Sequence, residues 1–441
     1  MTGDLLSIAS SGTRVARAAM DLTAQNIANA DTKGYVRRTL DRAELALPEG
    51  PSGSRGTIAG VRVVGTARMV DTVRQGEMRR TASDAARSEA HLQGLQDIES
   101  AIANARPYDR VVAFEASLRR LALDPDNEAL HTAAIGAAET MAGSFNLAAA
   151  GLGEIAEASR TALELGGSAI DAAAQSLAKI NGALARLPSG SSGHAALLDQ
   201  RDALLGTIAK EVGIHVSLKE NGQADVRVGG AEGPVLVGGN AAAPVEAGLD
   251  AVGGPVLTVG GISVETASGR LTGHIANLQA VADAREDLDA AAVRIVDLVN
   301  IAQVGGVTPA GEIGADLLAG TGATDMRLLP NSGAPFAVDA PAGGDGANLR
   351  DLVTAFETSG AAKGVGDLSL RLAVRVSEQG TTHEALEAIA AGARALVDSQ
   401  SGVNLDNEAA DLVRFQQAFQ ASGRVMQVAT TLFDTLLGVG R

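Results

Sequence analysis

Apolar residues recur every seven positions near the end of the chain, which predicts a long helix with one apolar stripe. Large apolar side chains occupy the main position of this repeat: Leu405, Leu412, Phe419, Met426 and Phe433. The position three residues further on holds Phe415, Ala429 and Leu436. A repeat sustained over this length favours a coiled-coil seam over an ordinary surface helix.

A second amphipathic helix is predicted at the start of the chain, over residues 3–30. Its apolar stripe has spacings of three and four residues and consists of Leu5, Ile8, Gly12, Val15, Ala19 and Leu22. Because Gly12 and Ala19 are small, the partner helix must approach closely. The simplest partner for each stripe is the other end of the chain. We therefore predict that the N- and C-terminal helices pack together as a coiled-coil-like rod domain.

The middle of the chain has a different pattern, with many glycines and alternating β-branched residues over 213–268. Asn221-Gly222 between two alternating runs is typical of a β-hairpin. We predict a mainly α-helical protein with a central β-rich insertion, of the α+β class. The predicted regions are 1–210 (N-terminal part of the helical rod domain, with a short β region at about 36–75), 211–270 (β-rich insert), 271–303 (returning helix), 304–347 (loops and short strands of the insert) and 348–441 (C-terminal helical part).

Composition excludes several classes of function. The formal net charge of −16 and the aromatic content of 2% disfavour binding to nucleic acid, which depends on clustered basic residues and stacking aromatics. The absence of cysteine excludes disulfides and thiolate metal sites. No apolar run is long enough to span a membrane, so we expect no membrane insertion. The first residues lack the pattern of a cleaved signal peptide, so we expect a cytoplasmic chain or one exported without such a signal.

Candidate catalytic and metal-binding patterns are weak. Asp124, Asp126 and Glu128 suggest a calcium loop, but the EF-hand spacing would require Gly and Glu at Ala129 and Ile135. A turn followed by a helix cap explains these residues better. The glycine doublets fit no phosphate-binding motif and are interpreted as β-turns. Ser192, His194 and Asp199 resemble a catalytic triad only in composition, since sequence neighbours rarely form one. We expect no catalytic residue, cofactor or metal.

One segment carries a recognisable motif. NIANADTKGYVRR, residues 26–38, resembles the signature of the bacterial flagellar axial proteins, the family of rod, hook and hook-associated proteins. The matching positions are Asn26, Ile27, Ala28, Asn29, Thr32, Gly34, Tyr35 and Arg37. Asn29, Asp31 and Gly34 are turn formers, and we expect Gly34 to adopt a positive φ after the first helix. Residues 401–438 resemble the closing helix of the same family, and their opening, SGVNLDNEAADL, is most similar to its hook-associated branch. Residues 121–146 and 197–216 agree with that branch.

The resemblance implies a structural subunit without enzymatic activity. It implies export through the flagellar type III apparatus with an export chaperone, and a location outside the cell at the junction of hook and filament. The implied partners are further copies of the chain in a ring, the hook protein and hook-associated protein 3. The residues expected to carry assembly are those of the motif (Asn26, Ile27, Asn29, Thr32, Gly34, Tyr35, Arg37) and the C-terminal stripe (Leu405, Leu412, Phe415, Phe419, Met426, Phe433, Leu436).

The chain departs from the family pattern in two respects, and three alternative functions remain open. Arg14 and Arg17 add charge to the first helix, and the middle of the chain is shorter than in many family members. Within the family, a hook or distal rod protein is the alternative, although such proteins carry larger β domains. Outside it, the β-rich insert suits an adhesin-like surface protein. A peptidoglycan hydrolase would need an additional domain, which the sequence does not show.

Overall fold

The computed structural model describes residues 2–32, 34–46, 58–251, 253–329, 336–339 and 346–439. Its helices are α1 Thr2–Ala28, α2 Thr72–Ala105, α3 Pro107–Leu123, α4 Glu128–Leu184, α5 Ser192–Glu211, α6 Arg270–Gly305, α7 Ala347–Ser359, α8 Ala361–Ser401 and α9 Leu405–Val439. Its strands are β1 Arg38–Ala46, β2 Ile58–Arg68, β3 Ile214–Leu218, β4 Ala224–Val228, β5 Val235–Gly238, β6 Ala241–Ala242, β7 Val245–Leu249, β8 Pro255–Val259, β9 Ile262–Ser263, β10 Leu318–Ala319 and β11 Arg327–Leu328. The predicted class, mainly α with β structure in the middle, is confirmed.

The longest helix, α4, connects two hydrophobic cores. It has 57 residues and is therefore about 85 Å long. The first half of α4 packs with α2, α3, α6, α7 and α8 around Phe114, Phe145 and Phe336, which are fully buried. Its second half packs with α5 and the sheets of the β-rich region around Leu177, Val226 and Leu257. The two cores explain how a chain with few aromatics remains well packed, because four of its seven Phe lie in the first core.

The β-rich region consists of small antiparallel sheets. Strands β3 to β6 form one sheet in chain order, β7 to β9 form a second, and Asn221-Gly222 lies in the turn between β3 and β4 as predicted. Strands β1 and β2 form a separate hairpin next to α1. No helix among the described residues is long and apolar enough to cross a membrane.

The two ends of the chain pack as an antiparallel helix pair, α1 along α9. Residue 26 of α1 contacts residue 408 of α9, and a Cβ atom on Gly12 would lie 2.9 Å from Ser422 Oγ. The contact line of α9 therefore follows positions 408, 415, 422 and 429, with Glu408 and Ala429 buried. This is the companion position of the predicted repeat, not its main position.

The predicted seam is wrong in this detail. On α9, Leu405, Phe419 and Phe433 are exposed, while Leu412 and Met426 are half-buried. On α1 the stripe is buried at Val15, Ala19 and Leu22, whereas Leu5 and Ile8 are exposed. The physical reason is size where the helices approach most closely: Gly12 of α1 faces the small Ser422 of α9. Apart from Phe415, the large side chains of the α9 repeat lie beside the contact line.

Asn181 in α4 links the four-stranded sheet to that helix through side-chain hydrogen bonds. Its side chain is fully buried; Nδ2 donates to the carbonyls of Ala224 at 2.8 Å and Gly239 at 2.7 Å, and Oδ1 accepts from the Ala224 amide at 2.9 Å. An alanine at this position would leave those backbone groups buried without partners.

We expect Asn181→Ala to lower the free energy of unfolding of the β-rich region by about 2–4 kcal/mol. The matched control is Gln175→Ala on the exposed face of the same helix, which should change it by less than about 0.5 kcal/mol. Chemical denaturation followed by circular dichroism measures both. Equal effects of the two substitutions would contradict the role assigned to Asn181.

Candidate functional site

The turn after α1 follows from the residue types of the motif. The Asn29 side chain donates to the Gln25 carbonyl at 2.9 Å and accepts from the Thr32 hydroxyl at 3.3 Å, so it caps the last turn of the helix. Gly34 has φ +83°, a left-handed conformation that favours glycine. This geometry, which the sequence predicted for Gly34, reverses the chain and directs residues 35–38 back along α1.

Asn26 lies at the centre of the reversed segment and is 2% exposed. Its Oδ1 accepts from the Tyr35 hydroxyl at 2.9 Å and from the Arg38 amide at 3.1 Å. Its Nδ2 donates to the Arg38 carbonyl at 2.9 Å and to Glu408 Oε2 at 3.0 Å. The two acceptor and two donor sites of one amide are thus filled, and only a side chain that both donates and accepts fits there.

Arg37 completes the link to α9. Its Nε lies 2.6 Å from Glu408 Oε1, its Nη2 lies 3.3 Å from Asp411 Oδ2, and its backbone amide donates to the Ser401 carbonyl at 2.8 Å. Glu408 has only 1% of its side chain exposed, so its carboxylate depends on Arg37 and Asn26 for compensation. We call Asn26, Tyr35, Arg37, Arg38 and Glu408 the Asn26 hub.

A second set of ion pairs ties the hub to α5. Asp199 lies 2.9 Å from Arg38 and 2.8 Å from Arg68, and Asp202 lies 2.8 Å from Arg68 and 2.6 Å from Arg201. We call these five residues the arginine–aspartate cluster. Burial raises the pKa of Asp199, and this effect outweighs the lowering by Arg68 and Arg38.

Tyr35 connects the two sets. The guanidinium of Arg38 lies over its ring, 4.9 Å from the centroid. Burial is the main cause that raises the pKa of Tyr35, so its hydroxyl stays protonated and donates to Asn26 at neutral pH. The hub therefore holds α1, β1, β2, α5 and the start of α9 in one arrangement.

The predicted site residues fall into three groups. Asn26, Tyr35 and Arg37 meet in the hub, whereas Asn29, Thr32 and Gly34 form the turn and Ile27 is half-buried on α1. The C-terminal residues lie along α9, away from the hub. Of these, Leu436 belongs to α9, but its side chain lies outside the described residues.

The weak catalytic candidates do not come together as a triad. His194 Nε2 lies 3.2 Å from the Asn221 carbonyl, and Asp199 pairs with arginines. Within the described ranges, no group of His, Cys, Asp and Glu side chains is placed to hold a metal ion. Asp124 and Asp126 belong to the turn between α3 and α4, where Asn127 caps α4.

Sequence reasoning missed two of the five hub residues, Arg38 and Glu408, and most of the ion pairs. Glu408, Asp411, Arg68 and Asp202 were not singled out. One signal was available for Glu408: it is an acidic residue at the companion position of the C-terminal repeat, on the line through Phe415 and Ala429. A charge within an apolar stripe indicates a specific buried partner.

Both ends of the chain match models of one class of protein. Residues 6–35 match the model described as "Flagella basal body rod protein", and residues 397–439 match "Flagellar basal body rod FlgEFG protein C-terminal". Three of the five hub residues, Asn26, Tyr35 and Glu408, lie in these two segments. The class of protein is therefore that of the flagellar axial proteins.

The middle of the chain defines the particular family. Residues 81–318, more than half of the chain, match the model described as "Flagellar hook-associated protein FlgK helical domain". The chain is 24% identical to flagellar hook-associated protein 1 of Escherichia coli (strain K12), over 99% of both chains. It is also 24% identical to the Bacillus subtilis (strain 168) protein of that name, over 96% of both. The chain belongs to the family of flagellar hook-associated protein 1, the hook–filament junction protein, and is a structural component of the bacterial flagellum.

A solved structure is also similar. The flagellar hook junction protein FlgK from Burkholderia pseudomallei aligns with 55% of this chain and 46% of its own, at 19% identity and a TM-score of 0.48.

We expect Asn26→Ala to loosen the hub, because it leaves the buried Glu408 carboxylate and the Arg38 backbone groups with fewer partners. The expected loss is about 2–4 kcal/mol in the free energy of local opening, measured by hydrogen exchange of the Arg38 amide and the first turn of α9. Asn29→Ala, three residues later in the motif, is the control and should cost less than about 1 kcal/mol. Equal exchange rates in the two variants would refute the central role of Asn26.

Proposed function

We propose that this chain forms a ring at the tip of the hook and joins hook to filament through the helix pair α1–α9. The observation that carries this proposal is the incomplete burial of α9. The helix uses only one side to contact α1, and its remaining apolar side chains lie at the surface. The exposed ones are Leu405, Val413, Phe419, Val425, Val428, Leu432 and Phe433.

Such a surface favours contact with neighbouring subunits. Apolar side chains exposed along the whole length of one helix are unusual for a monomer and mark an interaction site. Burying a Leu or Phe side chain contributes about 1.5–3 kcal/mol, so a few such residues in each subunit offset the cost of association. Leu5, Leu6 and Ile8 of α1 are also exposed and extend the surface along the same pair.

The Asn26 hub provides the second requirement, a fixed direction for the helix pair. A ring closes only when each subunit presents its contact surface at the same angle. Because Asn26 and Glu408 lie at the base of the pair and contact β1 and, through Arg38, α5, they set this angle. The hub is polar and buried, so it specifies one geometry better than an apolar contact does.

The partners we propose are further copies of the chain, the hook protein and hook-associated protein 3. We also propose that the chain is exported unfolded by the flagellar type III apparatus, with an export chaperone and without a cleaved signal, and acts outside the cell. Its contribution is structural, with no catalytic step and no cofactor. These assignments rest on the family and on the surface just described.

Deletion of the gene tests the junction role directly. We expect cells that build hooks without filaments and release flagellin into the medium, seen by electron microscopy and by immunoblotting of the supernatant. Complementation with the unchanged gene is the control. Normal filaments in the deletion strain would remove the junction role and direct attention to the β-rich region as a binding module.

We expect Phe419→Ala and Phe433→Ala to reduce filament assembly when they replace the native chain in the deletion strain. Their side chains are 37% and 52% exposed, so the melting temperature of the purified chain should change little. Leu165→Ala, at a 66% exposed residue of α4, is the matched control and should assemble normally. Equal loss of assembly in all three variants would contradict the role of the α9 surface.

A further inference from the structure

A cavity of about 430 Å³ lies between the first half of α2 and strand β3, apart from the helix pair. Arg79 and Ser83 line it from α2, Ile214 and Val216 line it from β3, and Ser268 lies at its edge. No aspartate or glutamate is among its lining residues. The cavity therefore presents positive charge and hydrogen-bond donors without a carboxylate of its own.

Arg79 is the unusual residue in this cavity. Arg79 is half-buried, and burial lowers the pKa of its guanidinium despite the opposing influence of Asp202. Within the part of the chain that the structure describes, no carboxylate lies at ion-pair distance from Arg79 and no hydrogen bond engages it. A half-buried cation that has lost part of its hydration and has no ion-pair partner is stabilised by an anion that approaches it.

The neighbouring carboxylates are already engaged. Both oxygens of Asp202 contact other arginines, Arg68 and Arg201. Asp199 is shared between Arg38 and Arg68. Among the described residues, the arginine–aspartate cluster together with Arg79 thus places four guanidinium groups around two carboxylates. This local excess of positive charge contrasts with the net charge of −16 of the whole chain.

Acidic residues further along α2 do not restore the balance. Glu77 and Asp84 both pair with Arg80, at 2.6 and 3.0 Å, on the exposed side of the helix. Arg80 and His215 are the other titratable residues of the lining, and both are exposed. Arg79 therefore faces the cavity as the cation that these local pairs leave uncompensated.

Two further groups of donors converge on the same space. The Ser83 hydroxyl is buried, with the residue 2% exposed, and it has no hydrogen-bond partner within the described ranges. Strand β3 is the edge of its sheet. Gly213 and Lys219, at the two ends of β3, form backbone hydrogen bonds with the chain on the β4 side. Backbone groups of successive strand residues point to alternate sides, so the amides of Ile214 and Val216 point away from β4 and towards the cavity side.

We propose that this cavity is a binding site for an oxyanion, with the Arg79 guanidinium as its cation and the Ser83 hydroxyl as a second donor. A planar guanidinium binds carboxylate and phosphate oxygens in pairs, which suits either anion. The shared chemistry has two sources: free inorganic phosphate, or the carboxylate of a glutamate or aspartate on a neighbouring subunit. Occupation of the site neutralises the excess charge beside the Asn26 hub and stabilises the packing of α2 against β3.

The test is titration of the purified full chain with two probes at constant ionic strength. Inorganic phosphate represents the free ion, and N-acetyl-glutamate α-amide represents a protein carboxylate. Isothermal calorimetry reports binding, and the melting temperature reports its effect on stability, with sodium chloride as the reference salt. We expect saturable binding of at least one probe at millimolar concentration, and the preferred probe identifies the source.

Substitutions at the cavity then locate the binding. Arg79→Met should weaken the affinity roughly 10- to 100-fold, because it removes a charged hydrogen-bond donor. In sodium chloride without either probe, the same variant should melt at the same temperature as the unchanged chain or higher, since it removes a half-buried cation that has no ion-pair partner. Ser83→Ala should weaken the affinity about threefold or more and provides a second variant with a smaller change in packing.

Arg74→Met is the matched control, because Arg74 also lies on α2 but is exposed, pairs with Asp71 at 3.4 Å and is not among the residues that line the cavity. It should leave the affinity within about twofold. Absence of binding of either probe to the unchanged chain overturns the proposal, as does equal affinity of the Arg79→Met variant. The purified chain is sufficient for these measurements, so their outcome is independent of the junction role.

Discussion

The architecture depends on one buried amide. Asn26 joins the end of α1 to Glu408 at the start of α9, across 382 residues of chain. The same amide binds both backbone groups of Arg38, so the position of the first strand follows from it. Since each polar group in this contact is withdrawn from water, a shift of either helix would leave several hydrogen bonds unmade. The helix pair is therefore held in one register and at one angle.

The two surfaces of the helix pair have different physical roles. Where α1 faces α9, the contact includes small and polar residues such as Gly12, Ser422 and Glu408, and it is close and specific. Where α9 faces outward, residues such as Phe419 and Val428 are large and exposed. Such a subunit has a fixed geometry at the base of the helix pair and exposed apolar side chains on α9. Assembly into a larger structure requires both. Stability of the monomer and capacity for assembly thus depend on different residues of one helix.

Charge within the molecule is distributed unevenly. The chain as a whole is acidic, yet beside the hub the guanidinium groups outnumber the carboxylates. Asp199 and Asp202 each bind two arginines, so the ion pairs act as a connected network and not as isolated contacts. The position of Arg79 next to this network gives the α2–β3 cavity its affinity for anions and links it physically to the base of the helix pair.

The sequence by itself determined the helices at both ends, the β-rich middle, the turn at Gly34 and the family. These features depend on local periodicity, on turn-forming residues and on a short motif, and each of these signals involves residues that are close together in the sequence. The structure decided which side of α9 faces α1, and it brought Asn26 to Glu408 and Asp199 to Arg38. These two pairings join residues 382 and 161 positions apart. Their choice depends on side-chain volume and on charge compensation in the folded core. A helical repeat indicates that a stripe needs a partner, but only packing selects the partner and the side that remains exposed.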